Sequence, residues 1–295
     1  MTVHCAGFAE SVINKWLIRV MIFLWQERRQ PVSWAGGVQH FAAGLAFMIL
    51  CSLVTAATAA ADLPEVLDRV KPSVVVVGTF QLKRSPQFIM RGTGFAVGNG
   101  RQIATNAHVV DQPVDVSADE KWLVLTRSGA NVTQSRSASI GLIDHEHDLA
   151  LLRIDGPALP VLPLNSSDSA REGQAVAFTG FPLGGLLGFY SPVTHRGIIS
   201  AITPIALPAN SMHSLNARSI TQLRRGSFDI FQLDATAYPG NSGGPLYEIE
   251  RGEVIGVINM VLVKETKESA LTKPSAISYA IPVKFLRELL ARGTP

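Results

Sequence analysis

From residue 74 to residue 281 the chain is a succession of short runs rich in β-branched and aromatic residues, cut apart by turn-forming residues. The runs fall at 74–80, 94–97, 102–105, 122–126 and 139–143, then at 175–179, 197–202, 228–233, 254–263 and 277–281. Gly98-Asn99-Gly100, Ser128-Gly129, Asp155-Gly156-Pro157 and Arg251-Gly252 punctuate them. Many short strands at this interval predict an all-β sandwich or barrel. Glycine (25) and proline (17) are plentiful and only 17% of residues are charged, which argues against a coiled coil or a disordered tail. Two helices frame the strands: Leu63–Val70, amphipathic and stopped before Pro72, and 283–291, where apolar and charged residues alternate at helical spacing. The polar, helix-breaking stretch 165–174 divides two strand-rich halves, 62–170 and 171–295.

Residues 1–61 read differently. No charge occurs from Phe41 to Ala61, Leu45-Ala46-Phe47-Met48-Ile49-Leu50 is strongly apolar, Arg28 and Arg29 lie upstream, and Ala57-Thr58-Ala59 offers small residues at cleavage spacing. That is the layout of a signal peptide, or of an uncleaved signal anchor, since about 20 apolar residues can span a bilayer. The expectation is therefore a periplasmic or secreted protein, attached to the inner membrane only if the segment stays uncleaved. Cys5 and Cys51 both fall in this segment, so the exported part is expected to fold without disulfides. The formal charge of +3 comes largely from the same segment, with Lys15, Arg19, Arg28 and Arg29 against Glu10 and Glu27. A clustered basic face is missing, which argues against a nucleic-acid partner.

Three strings carry chemistry: Thr105-Asn106-Ala107-His108-Val109-Val110, His147-Asp148-Leu149-Ala150-Leu151-Leu152 and Gly240-Asn241-Ser242-Gly243-Gly244-Pro245. A serine hydroxyl is a weak nucleophile at neutral pH and needs an imidazole to take its proton. The imidazole in turn needs a carboxylate to hold its tautomer and to stabilise the imidazolium. Asp148 opens an apolar strand, where an unpartnered charge would be costly, so a hydrogen-bonded partner is expected. Gly240 lets the backbone turn so that the Gly240 and Ser242 N–H groups converge on one oxyanion, and Gly243 and Gly244 are expected to leave room for substrate backbone. His108, Asp148 and Ser242 in this order predict a serine endopeptidase acting on polypeptides. The competing reading is a protease-like chaperone or binding protein with latent activity.

Other features are weaker. Asp144-His145-Glu146-His147 offers metal-ligand types, but histidines two apart on a strand face opposite ways and no HExxH helix is present, so a solvated loop is expected. No Walker loop or dinucleotide fingerprint occurs, and no cofactor or metal is expected. Asn131-Val132-Thr133 and Asn165-Ser166-Ser167 match the glycosylation pattern. The loop at 181–190, glycine-rich and apolar, is expected to be mobile and partly exposed. The loop at 203–227, with His213, Arg218, Arg224 and Arg225, is long enough to be functional.

Taken together, the three strings resemble the HtrA/Deg-type trypsin-like serine peptidases, and the similarity covers most of residues 63–290. Gly92-Thr93-Gly94-Phe95, Gly197-Ile198-Ile199-Ser200, Gln232-Leu233-Asp234-Ala235, Gly252-Glu253-Val254-Ile255-Gly256 and Ala280-Ile281-Pro282 agree with it. The resemblance implies two perpendicular six-stranded β-barrels, ATP-independent proteolysis of unfolded or damaged envelope proteins, and a homotrimer. It also implies a catalytic triad of His108, Asp148 and Ser242, with an oxyanion hole at Gly240 and Ser242. A PDZ module of the family is not expected in this chain. In trypsin-like folds the residue six before the serine floors the primary pocket; here it is Thr236, with Ile258, Asn259 and Met260 as one wall. An uncharged floor implies cleavage after small or medium aliphatic residues.

Overall fold

The computed structural model describes residues 63–128, 132–184, 190–204, 228–259 and 277–293. The segment 1–61, the loop 205–227 and Met260 lie outside the described residues. Among the described residues, twelve strands form two closed antiparallel barrels. The first holds β1 (Val74–Phe80), β2 (Phe88–Val97), β3 (Gln102–Thr105), β4 (Lys121–Ser128), β5 (Val132–Asp144) and β6 (Leu149–Ile154), in the order β1-β2-β3-β6-β5-β4. The second holds β7 (Ala175–Gly180), β8 (Val193–Pro204), β9 (Asp229–Asp234), β10 (Pro245–Glu248), β11 (Val254–Asn259) and β12 (Ile277–Pro282), in the order β10-β11-β12-β9-β8-β7. Three α-helices accompany them among the described residues: α1 (Leu63–Val70), the single turn α2 (Ala107–Val110) and α3 (Val283–Arg292).

Closure lets every strand satisfy its ladder on both sides, which removes the exposed edges of an open sheet. The interiors are aliphatic. Val75, Val77, Ile103, Val124 and Leu152 fill the first barrel, and Val176, Phe178, Ile199, Leu233 and Ile258 fill the second. A further cluster contains Val74, Phe95 and Leu149 of the first barrel with Tyr247, Val257 and Ile281 of the second, and helices α1 and α3 add Val66, Val70, Leu286 and Leu289. The two barrels thus share buried apolar surface, and the loops that carry the three strings emerge beside it.

Strand boundaries differ from the sequence expectation where pairing rather than hydrophobicity extends a strand. β5 begins at Val132, although Gln134, Ser135 and Ser137 are polar, because it pairs with β4 from Ser128 to Leu123. β10, four residues long and opening on proline, gives almost no sequence signal, yet all four residues are buried between β7 and β11. Asn165, which matches the glycosylation pattern, is 2% exposed and donates its amide to Glu248 and Glu253, so it is not a surface acceptor.

Candidate active site

His108 sits on the single turn that follows β3. Val109 and Val110 point into the first barrel's core and anchor that turn. Asp148 lies in the turn between β5 and β6 with φ +51, a left-handed conformation that asparagine and aspartate tolerate better than most residues. Its backbone carbonyl accepts from Ala107 N at 3.1 Å and from Asn106 Nδ2 at 3.0 Å. Its carboxylate accepts from His108 N at 2.8 Å through Oδ1 and meets His108 Nδ1 at 2.6 Å through Oδ2. An ionised carboxylate can only accept, so Nδ1 carries the proton and Nε2 is left as the basic nitrogen. The segment 106–108 is thus tied to Asp148 by four hydrogen bonds, two of them from His108 itself, and these two fix the ring's orientation and its tautomer.

Asn259, at the end of β11, donates Nδ2 to Asp148 Oδ2 at 2.7 Å. Its amide faces the carboxylate, whereas the sequence suggested a pocket wall. Ile258 likewise departs from that expectation: its side chain is buried in the second barrel's core, and only its backbone meets the serine loop, through Gly243 N and Gly244 O. Removing the Asn259 donor leaves the carboxylate under-solvated and less well held. An Asn259→Ala variant is therefore expected to lower kcat by roughly tenfold, the worth of one hydrogen bond to a charged group, as measured by steady-state peptide hydrolysis.

Ser242 lies on the loop between β9 and β10 and is 6% exposed. Asn241 N donates to Tyr238 O and Gly244 N to Asn241 O, folding the loop tightly around the serine. Gly240 has φ +104, a conformation that a side chain would strain. Two neighbouring carbonyls are claimed from outside the loop. Pro239 O accepts from Leu183 N at 2.6 Å, and Gly240 O accepts from Thr93 Oγ1 at 2.6 Å. In a trans peptide the N–H points opposite to the C=O, so the Leu183 bond turns the Gly240 N–H away from Leu183. Neither the Gly240 nor the Ser242 amide donates to an acceptor among the described residues, and an oxyanion would satisfy both.

Thr93 links the first barrel to the serine loop through hydrogen bonds. Its N–H donates to Ser242 O at 2.8 Å, its hydroxyl donates to Gly240 O and accepts from Phe181 N at 3.1 Å, and its carbonyl accepts from Thr105 Oγ1 at 2.8 Å. Gly92, one residue earlier, packs between the two strings: a Cβ there would lie 2.7 Å from Val109 Cγ2 and 2.9 Å from Ser242 O. The serine backbone therefore runs along β2 beside the turn that carries His108. Gly243 and Gly244 serve this same packing. A Cβ on Gly243 would lie 2.1 Å from Thr93 O, and one on Gly244 would lie 2.6 Å from Thr179 O. The space they leave is filled by the protein's own backbone, not kept open for substrate as the sequence suggested.

Thr236, half-buried, is spanned by a hydroxyl: Ser278 Oγ donates to Ala235 O at 2.7 Å and accepts from Ala237 N at 2.8 Å. Of the 181–190 loop, Phe181 is 3% exposed in the shared core, residues 182–184 and 190 are partly exposed, and residues 185–189 lie outside the described residues. Leu183 adopts φ +61, strain of the kind that persists where surroundings dictate it.

The 144–147 segment is solvated only in part: His145 and Glu146 are exposed, whereas Asp144 and His147 turn inward. Asp144 is 7% exposed, accepts from the amides of Glu146 and His147, and pairs with His147 Nδ1 at 3.0 Å and Arg292 Nη2 at 2.5 Å. Burial alone would raise the Asp144 carboxyl, but hydrogen bonds from His147 and Arg292 outweigh it and hold it below the usual range. The His147 ring stacks on Phe285 of α3 at 3.8 Å between centroids. No group of metal-ligating side chains occurs among the described residues.

His195, on β8, stacks on Phe178 at 4.9 Å and lies 6.1 Å from the Tyr238 ring, next to the serine loop. Its Nε2 is buried without a partner among the described residues, and burial pushes its pKa below 6.5. As pH falls through 6.5 the unfolded chain takes up this proton before the folded one, so stability falls with it until the folded ring titrates too. Depressed carboxylates such as Glu120, held at about 2 by the Asp115 amide, Thr79 and Arg84, add their loss only below about 4.5. Between pH 6.5 and 5 the urea midpoint is expected to fall in the wild type, and to fall less in His195→Phe.

Two closed six-stranded barrels, with a histidine–carboxylate pair in one and a glycine-rich serine loop in the other, define the chymotrypsin-like fold class. The trypsin-like peptidase domain matches residues 92–257, more than half of the chain, and the protein belongs to that family. Among curated relatives, "Serine protease HTRA1A" of Danio rerio is 31% identical over 233 residues, covering 78% of this chain and 40% of that protein. "Probable periplasmic serine endoprotease DegP-like" of Pseudomonas fluorescens is 34% identical over 192 residues, covering 65% of this chain and 32% of that one. Among solved structures, "HtrA-type protease AlgW with tripeptide" matches with a TM-score of 0.55 and 26% identity, covering 78% of this chain and 63% of that one. The HtrA-type likeness read from the sequence therefore holds. The chain spans about 40% of the length of the first curated relative.

Proposed function

We propose that the protein is an exported serine endopeptidase that cleaves unfolded or damaged envelope polypeptides through His108, Asp148 and Ser242. The observation that carries this reading is the 2.6 Å contact between Asp148 Oδ2 and His108 Nδ1, which leaves Nε2 as the base. In the reaction Ser242 Oγ attacks the scissile carbonyl while His108 Nε2 takes its proton, and Asp148 stabilises the imidazolium. The carbonyl oxygen becomes an oxyanion held by the Gly240 and Ser242 amides, where each donor is worth roughly 3 kcal/mol. His108 then gives its proton to the leaving amine, and water, activated by the same ring, releases the acyl group from Ser242. Thr236 and the neighbouring loop held by Ser278 form an uncharged pocket that selects small or medium aliphatic side chains.

Export and a periplasmic site of action draw on the composition of residues 41–61 and on the DegP-like relative's name. No helix among the described residues is long and apolar enough to cross a membrane. A homotrimer, as in the family, completes the reading. The test is hydrolysis of unfolded casein by purified protein: cleavage after aliphatic residues, lost in Ser242→Ala, is expected. Binding of casein without cleavage would favour a latent, chaperone-like protein, and a profile dominated by Arg or Lys would overturn the pocket assignment.

A further inference from the structure

We propose that Arg91 determines specificity by pairing with an acidic substrate side chain on the leaving-group side of the scissile bond; the inference rests on Ser242 being the nucleophile. The β1–β2 register pairs Val77 with Gly92 and Gly78 with Met90, so Arg91 is an extra, unpaired residue on β2. Such bulges next to functional sites re-aim a side chain. A Cβ on the following residue, Gly92, would lie 2.9 Å from the Ser242 carbonyl oxygen and 2.7 Å from Val109 Cγ2, so the bulge lies one residue from where β2 packs on both the serine loop and the His108 turn.

The guanidinium reaches across to Gln112 Oε1, just beyond α2. That partner is a neutral amide, and among the described residues no carboxylate pairs with Arg91. Its Nε is buried with no acceptor. A buried unsatisfied donor on a permanent cation is costly, and it calls for an anionic partner. The side follows from the division of labour between barrels. Thr236 and Ser278, around the pocket for the acyl half, belong to the second barrel, whereas His108, which protonates the departing amine, belongs to the first. Arg91 and Gln112 bridge β2 to the end of the His108 turn, and the departing half of the substrate runs past them. A planar guanidinium fork fits a carboxylate in two-point contact, so aspartate or glutamate is the side chain read.

The test uses two internally quenched peptides that share an aliphatic residue before the scissile bond and differ only in glutamate against glutamine two residues after it. The readout is the glutamate-to-glutamine ratio of kcat/KM within each variant, so altered folding or overall activity cancels. Wild type is expected to prefer glutamate about tenfold, or ~1.4 kcal/mol. Arg91→Met should bring the ratio close to one, and Arg91→Lys should keep part of the preference. A wild-type ratio near one, or a preference that survives in Arg91→Met, overturns the role of Arg91 while leaving the peptidase intact. Cleavage of neither peptide by the wild type contradicts the peptidase reading itself.

Discussion

Asp148→Asn is expected to lower kcat by about 10⁴-fold with little change in fold. The carboxylate receives three donors through its oxygens, from His108 N, His108 Nδ1 and Asn259 Nδ2. An amide in its place can still accept from the His108 backbone, and it nearly preserves shape. It cannot then also accept from the ring and Asn259, which share Oδ2, because the amide's other end is a donor. The ring then either loses its partner or turns to the tautomer with the proton on Nε2, the nitrogen that must take the serine proton. The imidazolium also loses its counter-charge. Single-turnover hydrolysis together with circular dichroism checks the expectation. A folded variant that keeps more than about a tenth of the wild-type rate would contradict the role given to Asp148.

The second large effect is structural. Gly243 has φ +86, and a Cβ there would lie 2.1 Å from Thr93 O and 2.3 Å from Thr105 Oγ1. Gly173 has a similar φ of +80, but nothing lies within 4 Å of its Cβ position. Alanine at 173 thus meets only left-handed backbone strain, about 1 kcal/mol. Alanine at 243 meets the same strain and also drives the serine loop off the first barrel, breaking the Thr93 contacts with Gly240 and Ser242. A loss of ~3 kcal/mol or more is expected, lowering Tm by roughly 10 °C, against a few degrees for Gly173→Ala. Equal shifts in the two variants would show that the serine loop is not wedged against β2.

What the sequence conveyed, and what it withheld, follows the range of the interactions involved. β1 opens on four consecutive valines, so local pattern fixes it. The start of β5 and the whole of β10 depend on neighbouring strands, and local pattern misses them. His108, Asp148 and Ser242 stood out because nucleophilic chemistry needs those residue types. The groups that aim them did not: Thr93 Oγ1 reaches Gly240 across 147 residues and Asn259 reaches Asp148 across 111. The Gly-Thr-Gly string around Thr93 was the available hint, a hydroxyl placed where little else fits. Asp144 and His147 resembled a solvated turn because the aromatic ring that covers His147, Phe285, lies on the last helix. Charge pattern along the chain has no access to that contact.

Labelling with a fluorophosphonate, which reacts only with an activated serine, tests the unity of the three residues most directly. Mass spectrometry of the wild type should find the phosphonyl adduct on Ser242, with labelling abolished in Ser242→Ala and lowered at least a hundredfold in His108→Ala. Labelling of Ser242 that proceeds at an unchanged rate without the His108 imidazole, or an adduct on a different serine, would contradict the account.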